Sequence, residues 1–253
     1  MNSGPDNVAR YKIILAYDGT GLSGSQRQAT ARTAQSELEE ALRRLGWVGK
    51  SVLMAGRTDS GVHARGQVVT FDLQWKHEPE VLVRALNGNL PAEMAVSAAQ
   101  IVRDDFHPRF DATSRLYCYR LYCHPSRDPL RERYAWRQWP DLDADGLKQA
   151  ASFIPGKHDF AAFGTPPRPG SSSVRTVLKA EWHQQGDEWF FEVQADAFLY
   201  HMVRRLVFVQ VAVGQGKFPA SVVADMLADR LSAVPAGLAP ANGLTLVEVT
   251  YPE

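Results

Sequence analysis

The sequence predicts an α+β protein of two similar halves, each with a mixed, mainly antiparallel sheet backed by helices. Strand-like and helix-like segments occur along the whole chain without regular alternation, and such irregular order favours α+β over a parallel α/β fold. The order strand, helix, two strands, helix, strand occurs twice. The 253 residues also exceed the ~100 to 200 of a usual domain, so two fused halves are compatible with the length.

The first half begins with an apolar strand over residues 11–17 (YKIILAY). Thr33 is a suitable helix N-cap, and apolar side chains then recur at helical spacing until Gly46. The remaining elements predicted in this half are strands over residues 51–56 and 67–73, a helix over 79–86 and a strand over 94–102.

The second half begins with a strand over residues 115–123, in which Tyr117, Tyr119 and Leu121 share one face. Apolar residues at helical spacing predict a long helix over residues 198–213. The remaining predicted elements are a helix over 143–154, strands over 174–184 and 188–194, a helix that opens at Pro219 and a strand over 244–251.

The predicted domain boundaries follow from this order. Residues 1–9 are polar and predict a disordered tail, residues 10–110 form the N-terminal half that carries Asp59, and residues 111–253 form the C-terminal half. Residues 164–173 (GTPPRPGSSS) have the composition of a mobile surface loop. We interpret this loop as a connector and not as a lid.

Composition restricts the class of protein. The 28 basic and 28 acidic residues balance, which excludes a polycationic tail but leaves room for a local basic face that binds nucleic acid. Arginine predominates among the basic residues and suits phosphate, although genomic base content explains that bias equally well. The polar N-terminus and the lack of a long apolar run predict a soluble, cytoplasmic protein without a membrane segment.

Several motifs suggest chemistry that their context does not support. Gly19, Gly21 and Gly24 match the dinucleotide fingerprint and suggest a nicotinamide-binding oxidoreductase, but no helix opens at the third glycine. Asp59 and His63 do not belong to a metal-ligand cluster. Cys118 and Cys123 lie five apart in a predicted strand, which favours two free thiols over a disulfide. We therefore expect neither a metal nor a cofactor.

Asp59 lies in the short loop RTDSG between two apolar strands. It is either a turn former, since Asp and Gly favour turns, or an oriented carboxylate that acts as a nucleophile. Arg57, two residues earlier, is placed to pair with the carboxylate and keep it ionised. The loop alone leaves both interpretations open.

The full string GRTDSGVHARGQVVTF resembles the signature of the tRNA pseudouridine synthase A family. The resemblance covers residues 11–251. It continues in YDGTGLSGSQRQ, DDFHPRFDATSRLYCYRLY, HDFAAFG, DAFLYHMVRRLVFVQVAVGQGK and GLTLVEVTYPE. One departure is Ser25, where many members of the family have tryptophan, and it leaves the packing or RNA contact of that loop open.

The resemblance implies a role for each matching residue. Asp59 corresponds to the catalytic carboxylate, Arg57 to the arginine associated with flipping the nucleotide, and Arg204 to a second arginine that approaches the aspartate. Tyr117 corresponds to the tyrosine that stacks on the target uracil, and Leu244 to a wall of its pocket. From the residues alone, Tyr117 and Arg204 are more often structural in such positions.

The resemblance also implies one continuous sheet with the active site in a central cleft. It implies a homodimer that grips the tRNA body and anticodon stem-loop, and isomerisation of uridines 38, 39 and 40 without a cofactor. Arg109, Arg115 and Arg205 are the candidate RNA-binding residues, and residues 103–137, with eight arginines, form the candidate RNA face. Alternatively these arginines only solvate a polar surface. A separate alternative for the function is a non-catalytic tRNA-binding module of the same fold, in which Asp59 only forms a turn.

Overall fold

The computed structural model describes residues 8–168, 170–229 and 235–252. The strands are β1 (Val8–Tyr17), β2 (Leu53–Met54), β3 (His63–Gln74), β4 (Met94–Ile101), β5 (Ser114–Cys123), β6 (Trp136–Gln138), β7 (Gly156–Asp159), β8 (Val174–Gln185), β9 (Glu188–Ala195) and β10 (Leu244–Thr250). The helices are α1 (Ala34–Arg44), α2 (Pro79–Asn87), α3 (Ala144–Ser152), α4 (Met202–Gly214) and α5 (Val222–Leu227). The α+β prediction is confirmed.

The chain divides into two compact units. Unit 1 contains residues up to Thr113 together with Leu246–Glu253, and unit 2 is Ser114–Thr245. The final strand therefore contributes most of its length to the first unit. Of the predicted tail, residues 1–7 lie outside the described residues, whereas Val8 and Ala9 belong to β1.

In unit 1 the strand order is β4-β1-β3-β10, and β2 pairs with β3. Strand β1 is antiparallel to both neighbours, with Ile13 opposite Val69 on β3 and Ala99 on β4. The interior side chains of β1 and the apolar faces of α1 and α2 are fully buried, including Leu15, Leu38 and Leu82. This sheet is the base on which the loop of Asp59 is built.

Helix α1 begins as predicted. Thr33 accepts a hydrogen bond from Ser36 N, and the Ser36 hydroxyl accepts one from Thr33 N, so the two residues form a capping box. The strand predicted over residues 51–56 is shorter in the structure, because Val52 N donates to the buried carboxylate of Glu39 (3.1 Å) and not to a neighbouring strand.

In unit 2 the strand order is β5-β9-β8-β7, all antiparallel, and the short β6 runs parallel to β5. Strands β6 and β7 were not predicted, since three or four residues are too few to show an alternating pattern. Cys118 and Cys123 do not form a disulfide with each other.

Helix α4 begins four residues later than predicted. His201 has a left-handed backbone (φ 66°), and Tyr200 forms a two-way backbone bridge with Thr165. These two features hold residues 198–201 outside the helix. Gln210 on α4 is fully buried and accepts a hydrogen bond from Trp182 Nε1 (2.8 Å), which satisfies a polar group inside the core.

Among the described residues, no helix is long and apolar enough to cross a membrane.

Candidate active site

The loop that carries Asp59 connects β2 to β3 and is called the aspartate loop (residues 55–62) below. Val62 N donates to the main-chain carbonyl of Asp59 (3.1 Å), and Gly61 has the left-handed φ of 79° that favours glycine. Asp59 is half-buried. The hydrogen bond that closes the turn uses the main chain of Asp59, so it does not require a carboxylate at this position.

The glycines of the false dinucleotide motif bring another loop against the aspartate loop. A Cβ on Gly19 would lie 2.0 Å from Val62 O, and a Cβ on Gly24 would lie 2.8 Å from Thr58 O. Gly24 also has a φ of 90°. Close approach of the two backbones thus explains why Gly19 and Gly24 are glycines. The glycine motif therefore no longer supports a nicotinamide-binding oxidoreductase.

Ser25 lies inside this contact. It is 1% exposed, its hydroxyl accepts a hydrogen bond from Thr58 N (2.9 Å), and Ser25 N donates to Thr58 O (3.1 Å). The residue that departs from the family pattern therefore contacts the main chain of the aspartate loop. Its burial leaves it no surface for RNA.

His63, at the start of β3, also holds the glycine-containing loop. Its Nδ1 accepts a hydrogen bond from Gly19 N (3.0 Å) and lies 3.2 Å from Asp18 Oδ1. The ring is 6% exposed. In the part of the chain that the structure describes, no three histidine, cysteine or acidic side chains are grouped as a metal site.

The two candidate arginines of unit 1 are both exposed. Within the described residues Arg57 forms no hydrogen bond or ion pair, so the expected pairing with Asp59 is not seen and its guanidinium points to solvent. Arg109 lies 6.0 Å from the ring centroid of the exposed Phe110. Both side chains are therefore accessible from solvent.

In unit 2, Tyr117 on β5 is 8% exposed and makes an edge-to-face contact with Phe198 (5.1 Å, 85°). This edge-to-face geometry is one of the arrangements that aromatic pairs favour.

Arg204 on α4 is joined to the segment that leads to Leu244. Its Nε donates to Ala239 O (2.8 Å), and Ala239 N donates to Arg204 O (3.2 Å). The hydroxyl of Tyr119 donates to the next carbonyl, that of Pro240 (2.8 Å). Leu244, which follows, is buried.

Tyr119 is a supporting residue whose function the sequence did not indicate. Burial raises the pKa of its hydroxyl, against the opposing effect of the Arg204 guanidinium, so Tyr119 is a neutral donor. A Cβ on Gly243 would lie 2.6 Å from the Tyr119 ring. The tyrosine therefore packs directly on the segment before Leu244.

The other candidate RNA-binding residues of unit 2 differ in accessibility. Arg115 is buried, and its guanidinium donates to Asp196 O (2.7 Å), which is a structural contact. Arg205 is half-buried at the start of α4.

Residues 103–137, called the arginine-rich segment below, are largely neutralised by nearby acids. The arginines that pair with carboxylates are Arg103, Arg120, Arg127, Arg131 and Arg137. Within the described residues, these five arginines therefore already have carboxylate partners. For these five, the structure favours the interpretation that they solvate a polar surface.

The comparisons with known proteins show the family to which the chain belongs. The family model for tRNA pseudouridine synthase matches residues 13–111 and 150–252, so the chain belongs to the tRNA pseudouridine synthase family, a family of isomerases. Two relatives are each named tRNA pseudouridine synthase A. That of Methylacidiphilum infernorum is 42% identical over 97% of this chain and 96% of its own length, and that of Paraburkholderia phymatum is 40% identical over 97% and 92%.

Among solved structures, the archaeal box H/ACA sRNP Nop10-Cbf5 complex is similar with a TM-score of 0.37 and 13% identity, over 80% of this chain and 44% of that chain.

Proposed function

We propose that this protein isomerises uridines 38, 39 and 40 of the tRNA anticodon arm to pseudouridine, with Asp59 as the nucleophile. The observation that carries the proposal is the aspartate loop itself, within a chain that matches tRNA pseudouridine synthases A over nearly its whole length. Its closing hydrogen bond uses only the main chain of Asp59. The turn therefore does not require a carboxylate at this position, which supports a role for Asp59 as a nucleophile.

The reaction has a simple balance. The bond between N1 of uracil and C1′ of ribose breaks, a bond between C1′ and C5 forms, the C5 hydrogen leaves as a proton and N1 takes up a proton. There is no net oxidation or reduction, and the chemistry requires no cofactor. A carboxylate is suited to attack either C1′ or C6, and both routes release the C5 hydrogen.

The target base must leave the helical stack before it reacts. In this proposal Arg57, whose guanidinium is exposed, takes part in flipping the nucleotide. Tyr117 offers its ring to the uracil, a contact that contributes about 1 to 3 kcal/mol for stacked bases. Leu244 is an apolar wall of the uracil pocket, and Arg204 keeps the nucleophile charged.

Recognition of several adjacent positions fits binding by shape and backbone more than by base identity. We propose Arg109 and Arg205 as contacts to RNA phosphates and leave Arg115 out, because it is buried against Asp196. The family resemblance supports a homodimer that grips the tRNA body, in the cytoplasm where tRNA is found. A mass in solution equal to that of one chain would contradict the dimer.

The test is tritium release from tRNA transcripts that carry 5-tritiated uridine only at position 38, 39 or 40. Wild type should release tritium from all three transcripts, and Asp59→Asn should release none while it still binds tRNA. Tight binding by wild type without any release would support the alternative, a non-catalytic tRNA-binding module in which Asp59 only forms a turn.

A further inference from the structure

Gln67 holds the start of the aspartate loop. This side chain on β3 is fully buried. Its Nε2 donates to Gly56 O (3.0 Å), and its Oε1 accepts from Gly56 N (3.2 Å). One amide thus meets both main-chain groups of Gly56, as a neighbouring strand would.

Ser25 holds the residue before Asp59 in the same two-way manner, through the hydrogen bonds to Thr58 N and Thr58 O described above. Thr58 is 7% exposed. The main chain is therefore held at Gly56 and at Thr58, and Asp59 follows the second of these residues directly.

Tyr17 on β1 joins the two supports. Its hydroxyl lies 2.8 Å from Thr58 Oγ1 and 3.5 Å from Gln67 Nε2. Burial raises the pKa of Tyr17, so the hydroxyl is neutral and is able both to donate and to accept. Tyr17, Ser25, Thr58 and Gln67 form one buried chain of hydrogen bonds, called the loop clamp below.

A loop that only reverses the chain direction has no need of such a set. Burying polar side chains costs free energy that their hydrogen bonds must offset, whereas a turn forms with Asp and Gly alone. Buried polar networks, when satisfied, hold one arrangement of the backbone. Catalytic groups depend on such support, since a displacement of about 1 Å costs about a hundredfold in rate.

We propose that the loop clamp is a positioning device that sets the direction of the Asp59 carboxylate. The inference rests on the proposed function, in which Asp59 is the nucleophile. The four residues of the loop clamp are positioning residues and not contacts to the uridine. Gln67 and Ser25 hold the main chain at Gly56 and Thr58, and Tyr17 joins Gln67 to the Thr58 side chain.

The experiment uses the full chain and single-turnover tritium release with enzyme in saturating excess over tRNA. Under this condition the rate constant is independent of the fraction of folded enzyme, so a purely structural defect does not lower it. We expect Tyr17→Phe and Ser25→Ala, which each remove one hydroxyl, to lower the rate constant by about ten- to a hundredfold. The Kd for tRNA should stay within twofold of wild type.

Thr58 provides a rescue pair. Thr58→Val removes the hydroxyl that faces Tyr17 and should slow release to the same degree, whereas Thr58→Ser keeps the hydroxyl and should restore most of the rate. The double variant Tyr17→Phe/Thr58→Val should be no slower than Tyr17→Phe alone, because Tyr17→Phe already removes the hydrogen bond to Thr58 that Thr58→Val removes.

Thr70→Val is the matched control. Thr70 lies on β3, is 1% exposed, and its hydroxyl has no hydrogen-bond partner within the described part of the chain. The same substitution outside the loop clamp should therefore leave the rate constant within twofold of wild type.

The outcomes separate the two proposals. Release within twofold of wild type by Tyr17→Phe, Ser25→Ala and Thr58→Val, together with no release by Asp59→Asn, would refute the positioning role and leave the proposed function intact. Release by Asp59→Asn at the wild-type rate would overturn the proposed function and this inference with it.

Discussion

The aspartate loop and the arginine-rich segment are the two most conspicuous stretches of the sequence, and they are stabilised in opposite ways. Buried polar side chains such as Ser25 and Gln67 form hydrogen bonds with the main chain of the aspartate loop. The arginine-rich segment is stabilised by ion pairs at the protein surface, such as Arg127 with Glu132 and Arg131 with Asp187.

This difference shows how charge and polarity should be interpreted in a sequence. An arginine that pairs with a carboxylate of its own protein has part of its charge neutralised, so it contributes less to a phosphate-binding surface than an unpaired arginine. A buried serine or glutamine that hydrogen-bonds a loop main chain on both sides indicates that the loop position matters. The ion pairs make the arginine-rich segment a weaker candidate for RNA binding. The buried hydrogen bonds make the aspartate loop a stronger candidate for catalysis.

The largest effect is expected for Asp59→Asn. Removing a nucleophile should lower single-turnover tritium release by about 10⁴-fold or more, with an almost unchanged Kd for tRNA. The control is Asp105→Asn, in the arginine-rich segment, where the carboxylate is exposed and pairs with Arg103 (3.1 Å). A similar loss of activity in both variants would mean that the two regions do not differ as described.

The next effect concerns stability. Glu39 on α1 is fully buried and accepts hydrogen bonds from Arg27, Gln35 and Val52 N. Because Glu39→Ala leaves these donors without their acceptor, it should lower the free energy of unfolding by about 3 kcal/mol.

The measurement for Glu39→Ala is urea denaturation, with Glu40→Ala as the control. Glu40 is the next residue on the same helix, is 56% exposed and pairs at 3.6 Å with Arg43 and Arg44. Its removal should cost less than about 0.5 kcal/mol. An equal loss of unfolding free energy in Glu39→Ala and Glu40→Ala would contradict the expectation that the buried carboxylate contributes more than the exposed one.

A smaller effect distinguishes the arginines. Arg109→Gln should raise the Kd for tRNA severalfold and reduce the slope of log K against log salt by about one, as expected for one lost phosphate contact. Arg127→Gln should change both by much less, because Arg127 already pairs with Glu132 (2.7 Å). Filter binding over a range of salt concentrations measures the Kd and the salt slope. Equal slopes for Arg109→Gln and Arg127→Gln would contradict the expected difference between the two arginines.

The smallest effect is expected for Asp187→Asn. Two hydrogen bonds from Arg131 (2.7 and 2.9 Å) lower the pKa of the Asp187 carboxyl. A lowered folded-state pKa contributes stability above the unfolded value of about 4, and this contribution is lost as the pH falls through the folded-state pKa.

Wild type should therefore be more stable than Asp187→Asn at pH 7 by less than about 1 kcal/mol, since the pair is partly exposed. The difference should disappear in thermal unfolding at strongly acidic pH. A difference that grows as the pH falls would have the wrong sign for this ion pair.

Local patterns in the sequence predicted the α+β class, most of the helices and strands, the N-cap at Thr33 and the position of Asp59 between two strands. These features depend on residues a few positions apart, where periodicity and capping rules apply. The family assignment also came from the sequence, because the motif around Asp59 is long and specific.

Contacts between distant residues decided the rest. Tyr17 meets Thr58 across 41 positions, and Ser25 meets Thr58 across 33. Partners this far apart are brought together only when the sheet and its loops form, so no local pattern predicts them. The function of Gly19 and Gly24 in loop packing and the late start of α4 at His201 have the same origin. The sequence determined which residue is the candidate nucleophile, and the tertiary structure determined what holds it in place.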